Sequence, residues 1–380
     1  MRICYVISTS ELAGGANRSL LDMILLVKKA GHECFVLGPS YGSMAEELKK
    51  NNIDYEIIPF KSSVKFGNLL RNSAKYLYNL WIRQSIKKLL INKKIDIVHN
   101  NSLPTLVGME AAYSLKIPYI CHIRENVWKG LGMEFIRNFD VHKVIKNASA
   151  NIVISDFIKN VYQKYEPNAE YLVVKDGIRI ADYYENKDIL DNDTIQIGII
   201  GVINPQKGQE EVVQAIEILK NRGCEQIKLE IIGKEGTWQG TKSYVKKLKE
   251  YVKEKSLTCV SFIPPIEDVN ELKNCRKRHD INVICSRAEG LGRTTIESML
   301  SGTLTIAANA GATNEIINDM EYGILYECGN PNDLANKIEY AINNRSLMKK
   351  IAKKGQVYAS EKFSIENYTE SILNIYKRIM

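Results

Sequence analysis

Apolar residues along this chain recur in two rhythms. Short runs of consecutive apolar positions mark buried strands, and stretches with apolar residues three and four apart mark amphipathic helices. The opening shows both: a strand over 3–7, a loop with Gly14 and Gly15, then a helix over 16–30. Leu20, Ile24 and Val27 share one face of that helix, and Gly31 ends it. A strand over 33–37 follows, so the chain opens as a βαβ unit and its sheet is expected to be parallel. Further strands are expected at 55–58, 96–99, 118–121, 151–154 and 171–174. After Gly177 and Ile178 the composition turns polar over 179–193, which predicts a linker. A second βα series starts with a strand over 195–202 and continues at 228–232, 258–262, 280–285 and 303–307. Helices at 331–343, 346–360 and 364–379 close the chain. The pattern predicts an α/β protein of two Rossmann-like domains, 1–178 and 194–363.

Between the strand at 280–285 and a helix closed by Gly302 lies Ser286–Glu297, S-R-A-E-G-L-G-R-T-T-I-E. Gly290 and Gly292 let the backbone approach a ligand. The amides of Gly292, Arg293, Thr294 and Thr295 are expected to be free at a helix N-terminus, where phosphate binds. Glu289 at the strand end and Glu297 one turn into the helix are acceptors for sugar hydroxyls. The turn from Glu289 through Leu291 to Glu297 thus offers a phosphate cradle with a hydroxyl acceptor on either side. That chemistry suits a nucleotide sugar.

The two glutamates, seven residues apart, resemble the E-x7-E signature of retaining family 4 (group 1) glycosyltransferases of the GT-B fold. Other stretches fit. The loop E-L-A-G-G-A-N-R-S lacks G-x-G-x-x-G, which argues against dinucleotide binding, and its Gly14 and Gly15 resemble the family's glycine loop. The run His122–Asn126 resembles the loop whose histidine reaches the donor sugar; His99, at another strand end, is expected to be structural. Gly201, Lys207 and Gly208 match the family's diphosphate loop, but Val202 stands where the family carries arginine. Lys207 would then carry that loop's charge, with Arg293 compensating. Gly311 resembles a second glycine turn near the phosphates.

The resemblance implies two Rossmann-like domains facing across a cleft, with the last helix (364–380) crossing back to the N-terminal domain. The N-terminal domain would bind the acceptor and the C-terminal one the nucleotide sugar. Glu297 would accept from the ribose and Glu289 from the donor sugar. Lys207 and the Gly292–Thr295 amides would neutralise the leaving diphosphate, and His122 joins Glu289 and Lys207 in the implied catalytic set. The implied donor is a UDP- or GDP-sugar, with no further cofactor. The acceptor would be a glycan or lipid-linked sugar, in bacterial surface polysaccharide biosynthesis. D-x-D occurs only at Asp191–Asp193 in the linker, so no metal is expected. A GT-B epimerase or phosphorylase, and a degenerate non-catalytic scaffold, remain alternatives.

Charge adds one feature. The net charge is +8 over 380 residues, but residues 1–180 carry 25 basic against 16 acidic side chains, and the rest carry 27 against 28. Residues 57–95 hold nine Lys or Arg and no acid, interleaved with Phe60, Phe66, Tyr76, Tyr78 and Trp81. A helix over 68–92 would align Leu70, Ala74, Leu77 and Trp81. Such a segment suits an anionic membrane surface, with Arg71, Lys75, Trp81, Arg83, Lys87 and Lys88 as contacts. No nucleic-acid partner is expected. No apolar run is long enough to span a membrane, no signal peptide is expected because the N-terminus turns polar too soon, and the eight cysteines form no C-x-x-C pair. The expected location is the cytoplasm, peripheral to the inner face of the cell membrane.

Overall fold

A computed structural model describes residues 1–12, 15–236, 241–266 and 268–380. The chain forms two compact units, one of Met1–Ile178 with Ile365–Met380, the other of Arg179–Ser364. Unit one holds β1 (Arg2–Ile7), β2 (Glu33–Gly38), β3 (Asp54–Ile57), β4 (Ile97–Asn101), β5 (Tyr119–Ile123), β6 (Ala150–Val153) and β7 (Tyr171–Val173). They pair in parallel in the order β3-β2-β1-β4-β5-β6-β7. Unit two holds β8 (Ile195–Ile200), β9 (Ile227–Ile232), β10 (Val260–Ile263), β11 (Ile281–Ile284), β12 (Leu304–Ala308) and β13 (Ile324–Tyr326). These also pair in parallel, in the order β10-β9-β8-β11-β12-β13.

Parallel strands are covered on both faces, which is why they read as unbroken apolar runs. β1, β4, β5 and β11 are buried almost throughout. In each sheet the chain starts centrally and reverses direction between the first and fourth strands of the unit. That reversal opens a crevice at the strands' carboxyl ends, the usual ligand site of such sheets. The helix Ile365–Ile379 buries Ile365, Tyr368, Ile372, Ile375 and Tyr376 in unit one's core beside Ile24, Ile97 and Ile120. Its start is tied back by the Ile365 amide on Ile178 O at 3.1 Å.

Three elements depart from the expectations. The strand drawn over 195–202 stops at Ile200, because the backbones of Gly201 and Gly233 nearly touch. Both have positive φ, 152° and 154°, and a Cβ on Gly233 would stand 1.8 Å from Gly201 O. The segment 179–193, read as a linker, packs onto unit two. Tyr183, Ile189 and Leu190 are buried, and the Lys187 ammonium donates to the carbonyls of Arg276 and His279 at 2.9 and 2.6 Å. The helix Leu69–Asn92 forms, but Leu70, Leu77 and Trp81 face solvent at 79%, 63% and 67% exposure, while Asn72, Asn79, Ile82, Ile86 and Leu90 face inward.

Candidate functional site

In unit two the loops leaving β8 and β11 flank the strand reversal. The β8 loop turns through Pro205–Lys207, where the Asn204 side chain accepts from the Lys207 amide at 3.0 Å. Gly208 follows at φ 65°, so close to β11 that a Cβ would lie 2.5 Å from Cys285 O. The Arg287 amide donates to Gln206 O at 3.1 Å and joins the two loops. The outcome is a direct ion pair between the Lys207 ammonium and the Glu289 carboxylate. Ser286 Oγ also donates to Glu289 Oε1, at 2.9 Å. Burial alone would raise the Glu289 carboxyl, but Lys207 and Ser286 outweigh it and hold the group below its usual range. A third turn supports the same residue. The Ala312 amide donates to Glu289 O at 3.0 Å, and Gly311, at φ 61°, leaves no room for a Cβ beside that carbonyl.

Gly292, at φ 101°, precedes the helix Arg293–Leu300. The expectation of free amides through Thr295 needs correction. Thr295 N and Ile296 N turn back onto Gly292 O at 2.9 and 3.3 Å, because the helix begins in a tight first turn. Thr295 Oγ1 is instead the orphan here, buried and without a hydrogen-bond partner. Leu291 is buried as an anchor, and Gly290 and Thr294 are half-buried. Glu297 is held on both sides: Arg276 Nη2 donates at 2.6 Å and Arg293 Nε at 2.9 Å. Arg293, expected to compensate for Val202, donates its Nε to Glu297. Arg276 was missed by sequence reasoning. It lies on the helix Val269–Lys277 and is 2% exposed.

In unit one, His122 is next to last in β5 and is fully buried. Its Nδ1 meets His99 Nε2 at 3.0 Å, and His99 Nδ1 meets Tyr376 Oη at 2.7 Å. Burial, aided by the nearby Arg124 charge, pushes His99 down to about 3 and His122 well below its ordinary value. Both rings are neutral. Arg124 is bound by Asp176 at 2.5 and 2.6 Å, by Tyr368 Oη at 2.8 Å and by Asn101 Oδ1 at 2.5 Å. Gly15 starts the helix Gly15–Lys29, and Gly14 lies outside the described residues.

The basic segment divides. Arg71, Trp81 and Lys88 are exposed, and Lys75 and Lys87 are half-buried. Arg83 leaves the outward face: its Nη1 stands 3.9 Å from Glu110 Oε2, because position 83 lies beside the buried Ile82 and Ile86. Lys65 pairs with Glu134, and Lys93 with Asp54 and Glu56. No helix among the described residues is long and apolar enough to cross a membrane.

With this geometry in view, the likeness to known proteins is extensive. Residues 182–358 match the family described as glycosyl transferases group 1, and residues 13–181 match glycosyltransferase family 4. The chain is 23% identical over 372 residues to the capsular polysaccharide biosynthesis glycosyltransferase CapM of Staphylococcus aureus, covering 90% of this chain and 94% of CapM. It is 22% identical over 393 residues to a Campylobacter jejuni alpha-1,4-N-acetyl-D-galactosaminyltransferase, covering 100% and 99%. That relative is named for the acceptor GalNAc-alpha-(1->4)-GalNAc-alpha-(1->3)-diNAcBac-PP-undecaprenol. The crystal structure of Anabaena HepE with UDP-glucose superposes with a TM-score of 0.80 at 19% identity, covering 100% of both chains. The fold they share is GT-B.

Proposed function

This chain belongs to the group 1, family 4 glycosyltransferases, and from that premise we propose that it transfers a hexose-type sugar, with retention, from a nucleotide sugar to a glycan or lipid-linked acceptor. The observation that carries the reading is the Lys207–Glu289 pair at the strand reversal of unit two, beside the start of the helix Arg293–Leu300. A cation, a carboxylate and a helix N-terminus together match a sugar diphosphate: the cation and amides take phosphate oxygens, and the carboxylate takes sugar hydroxyls. His122, whose Nε2 has no hydrogen-bond partner, belongs to the proposed catalytic set.

In the step itself the bond from the anomeric carbon to the diphosphate oxygen breaks, and a bond to the acceptor oxygen forms on the same face. The acceptor proton passes to the departing phosphate oxygen. Negative charge grows on that phosphate, where Lys207 and the Gly292, Arg293 and Thr294 amides stabilise it. Glu297, clamped by two arginines, keeps lone pairs for ribose hydroxyls. The experiment is a screen of UDP- and GDP-sugars for protein-dependent turnover. A donor consumed by the wild type and not by Glu289→Gln is expected; turnover unaffected by that change would refute the site.

We further propose that the helix Leu69–Asn92 rests on an anionic bilayer, which would bring a lipid-linked acceptor to unit one. Its support is the outward stripe of Leu69, Leu70, Leu77 and Trp81 with Phe66, flanked by exposed Lys61, Arg71 and Lys88. An apolar stripe with cations on its flanks and no acid within 57–95 complements anionic headgroups. Each cation at the surface contributes about 1 kcal/mol. Sedimentation with phosphatidylglycerol vesicles should fall when Leu70, Leu77 and Trp81 become serine, and fall again as salt rises. Equal sedimentation of that variant would exclude this face.

A further inference from the structure

Glu230, Cys275 and His279 converge in unit two at the start of β11, the end of that strand opposite the 286–297 turn. Cys275 lies in the last turn of the helix Val269–Lys277, and the backbone is still helical at Arg278, φ −82° and ψ −11°. His279 follows Cys275 by four residues, so the run C-R-K-R-H puts thiol and imidazole on one side. Glu230 reaches them from β9, 49 residues away from His279. The Cys275 sulfur, a His279 nitrogen and a Glu230 oxygen all lie within 4.8 Å of one another. Cys275 and His279 are 0% and 1% exposed.

The imidazole has little freedom. It packs so closely on β8 that a Cβ at Gly198 would stand 2.2 Å from His279 Nδ1. Both ring nitrogens face oxygens: Nδ1 is 3.1 Å from Asn282 Oδ1, and Nε2 is 2.9 Å from Glu230 Oε2. A neutral imidazole has one N–H and satisfies only one of them. The other nitrogen then turns its lone pair on an oxygen lone pair. A second proton would serve both contacts, but burial opposes it and holds the ring below its ordinary pKa despite Glu230. A metal cation resolves the conflict. Nδ1–H donates to Asn282 Oδ1, the outer support that orients a metal-bound histidine. Nε2 gives its lone pair to the metal, beside the Glu230 oxygen and the Cys275 sulfur.

We propose that Glu230, Cys275 and His279 form a zinc site that ties the helix Val269–Lys277 to β9. The donors select the ion: a thiolate, an imidazole and a carboxylate suit zinc, whereas magnesium and calcium take oxygen ligands. Around a tetrahedral zinc such donors stand roughly 3.3–3.6 Å apart, so side-chain shifts of about 1 Å close the site. Cys275 gives its proton to water as the sulfur–zinc bond forms. Thiolate and carboxylate then balance the ion's two charges. Arg278 donates to Glu230 Oε2 at 2.7 Å, but its side chain is 46% exposed and turns to water at little cost. Water completes the coordination. It has a way in, since Glu230 also lines a cavity of about 440 Å³ with Gln196, Lys228 and Ser261. The tied helix carries Arg276, which holds Glu297. Zinc would thus brace the support of the 286–297 turn without touching a substrate.

The test is titration of the reduced, chelator-treated full chain with cobalt and zinc. Cobalt(II) reports its own ligands, because a bound thiolate gives an intense near-ultraviolet charge-transfer band. One equivalent of cobalt should raise that band, and zinc should bleach it. Cys275→Ser should remove it. Glu230→Gln should weaken zinc binding at least about tenfold. Cys224→Ser, at a half-buried thiol outside the cluster, should change neither. Zinc should also slow amide exchange across Val269–Lys277 and not in β1. A wild type without the band overturns the proposal, even if Cys275→Ser does not fold. It would leave the Asn282 amide donating to Nδ1 and His279 Nε2–H on Glu230. A band that survives Cys275→Ser, or equal zinc affinity in Glu230→Gln, overturns it too. Unchanged exchange with zinc bound overturns the tie between helix and strand. No nucleotide sugar enters these measurements, so their failure and that of the donor screen are separate results.

Discussion

Glu289→Gln should separate binding from turnover. Sugar transfer falls by about two orders of magnitude or more, the scale for losing one preorganised polar group in an active site. A nucleoside diphosphate binds at least as tightly as to the wild type. The reason is the pair seen here. Without ligand, the Lys207 ammonium rests on the Glu289 carboxylate, whose side chain is only 16% exposed. An incoming diphosphate must share that cation with an anion already in place. The amide holds Lys207 less tightly, so the phosphate competes with less. Lys207→Ala runs the other way: it removes the cation, costs about 1.5–3 kcal/mol of diphosphate affinity, and lowers turnover as well. Calorimetry with UDP and GDP, beside turnover of whichever sugar the screen selects, reads both quantities. If Glu289→Gln and Lys207→Ala lose diphosphate affinity alike, the competition between the carboxylate and the phosphate is not real.

What the sequence shows of this site, and what it hides, follows from distance along the chain. The turn at 286–297 is legible because strand, glycines and helix are consecutive, and each leaves a local signal. The ion pair it builds is not, since Lys207 and Glu289 are 82 residues apart and meet only once β8 and β11 lie side by side. Arg276 gives no signal in V-N-E-L-K-N-C-R-K, where it is one charge among four; only the packing of that helix turns it inward. The helix over 69–92 shows a second limit. Its period is plain, but two stripes compete, and Asn72 and Asn79 disguise the one that faces inward. Both are buried because they serve backbone groups: Asn79 Oδ1 accepts from Lys61 N and Asn72 Oδ1 from Phe66 N. The more apolar-looking stripe of Leu70, Leu77 and Trp81 is the outer one. In 179–193 the polar majority likewise conceals Tyr183, Ile189 and Leu190, which suffice to dock the segment.

Glu297→Gln should cost unit two about 3–5 kcal/mol, the range for stranding a buried charge. Glu297 is 6% exposed and stands between Arg276 and Arg293. Arg276 is the more exposed to harm. It is 2% exposed, and its Nε and Nη1 already lack hydrogen-bond partners, so Glu297 is its main compensation. A neutral amide leaves two guanidinium groups facing each other with no anion between them. Because the chain forms two compact units, one melting temperature would blur the effect. Hydrogen exchange resolves it: amides of β11, β12 and the helix Arg293–Leu300 should lose protection, while those of β1 and β4 keep theirs. Undiminished protection in unit two would show that the arginines find other partners, and equal loss in both units would show that the effect is not local. The same measurement decides how any loss of transfer in this variant is understood. Glu297 supports the helix whose first turn is the proposed phosphate site, so lost activity reports a ribose contact only if β11 and that helix remain protected. If they open, the loss belongs to the fold of the site.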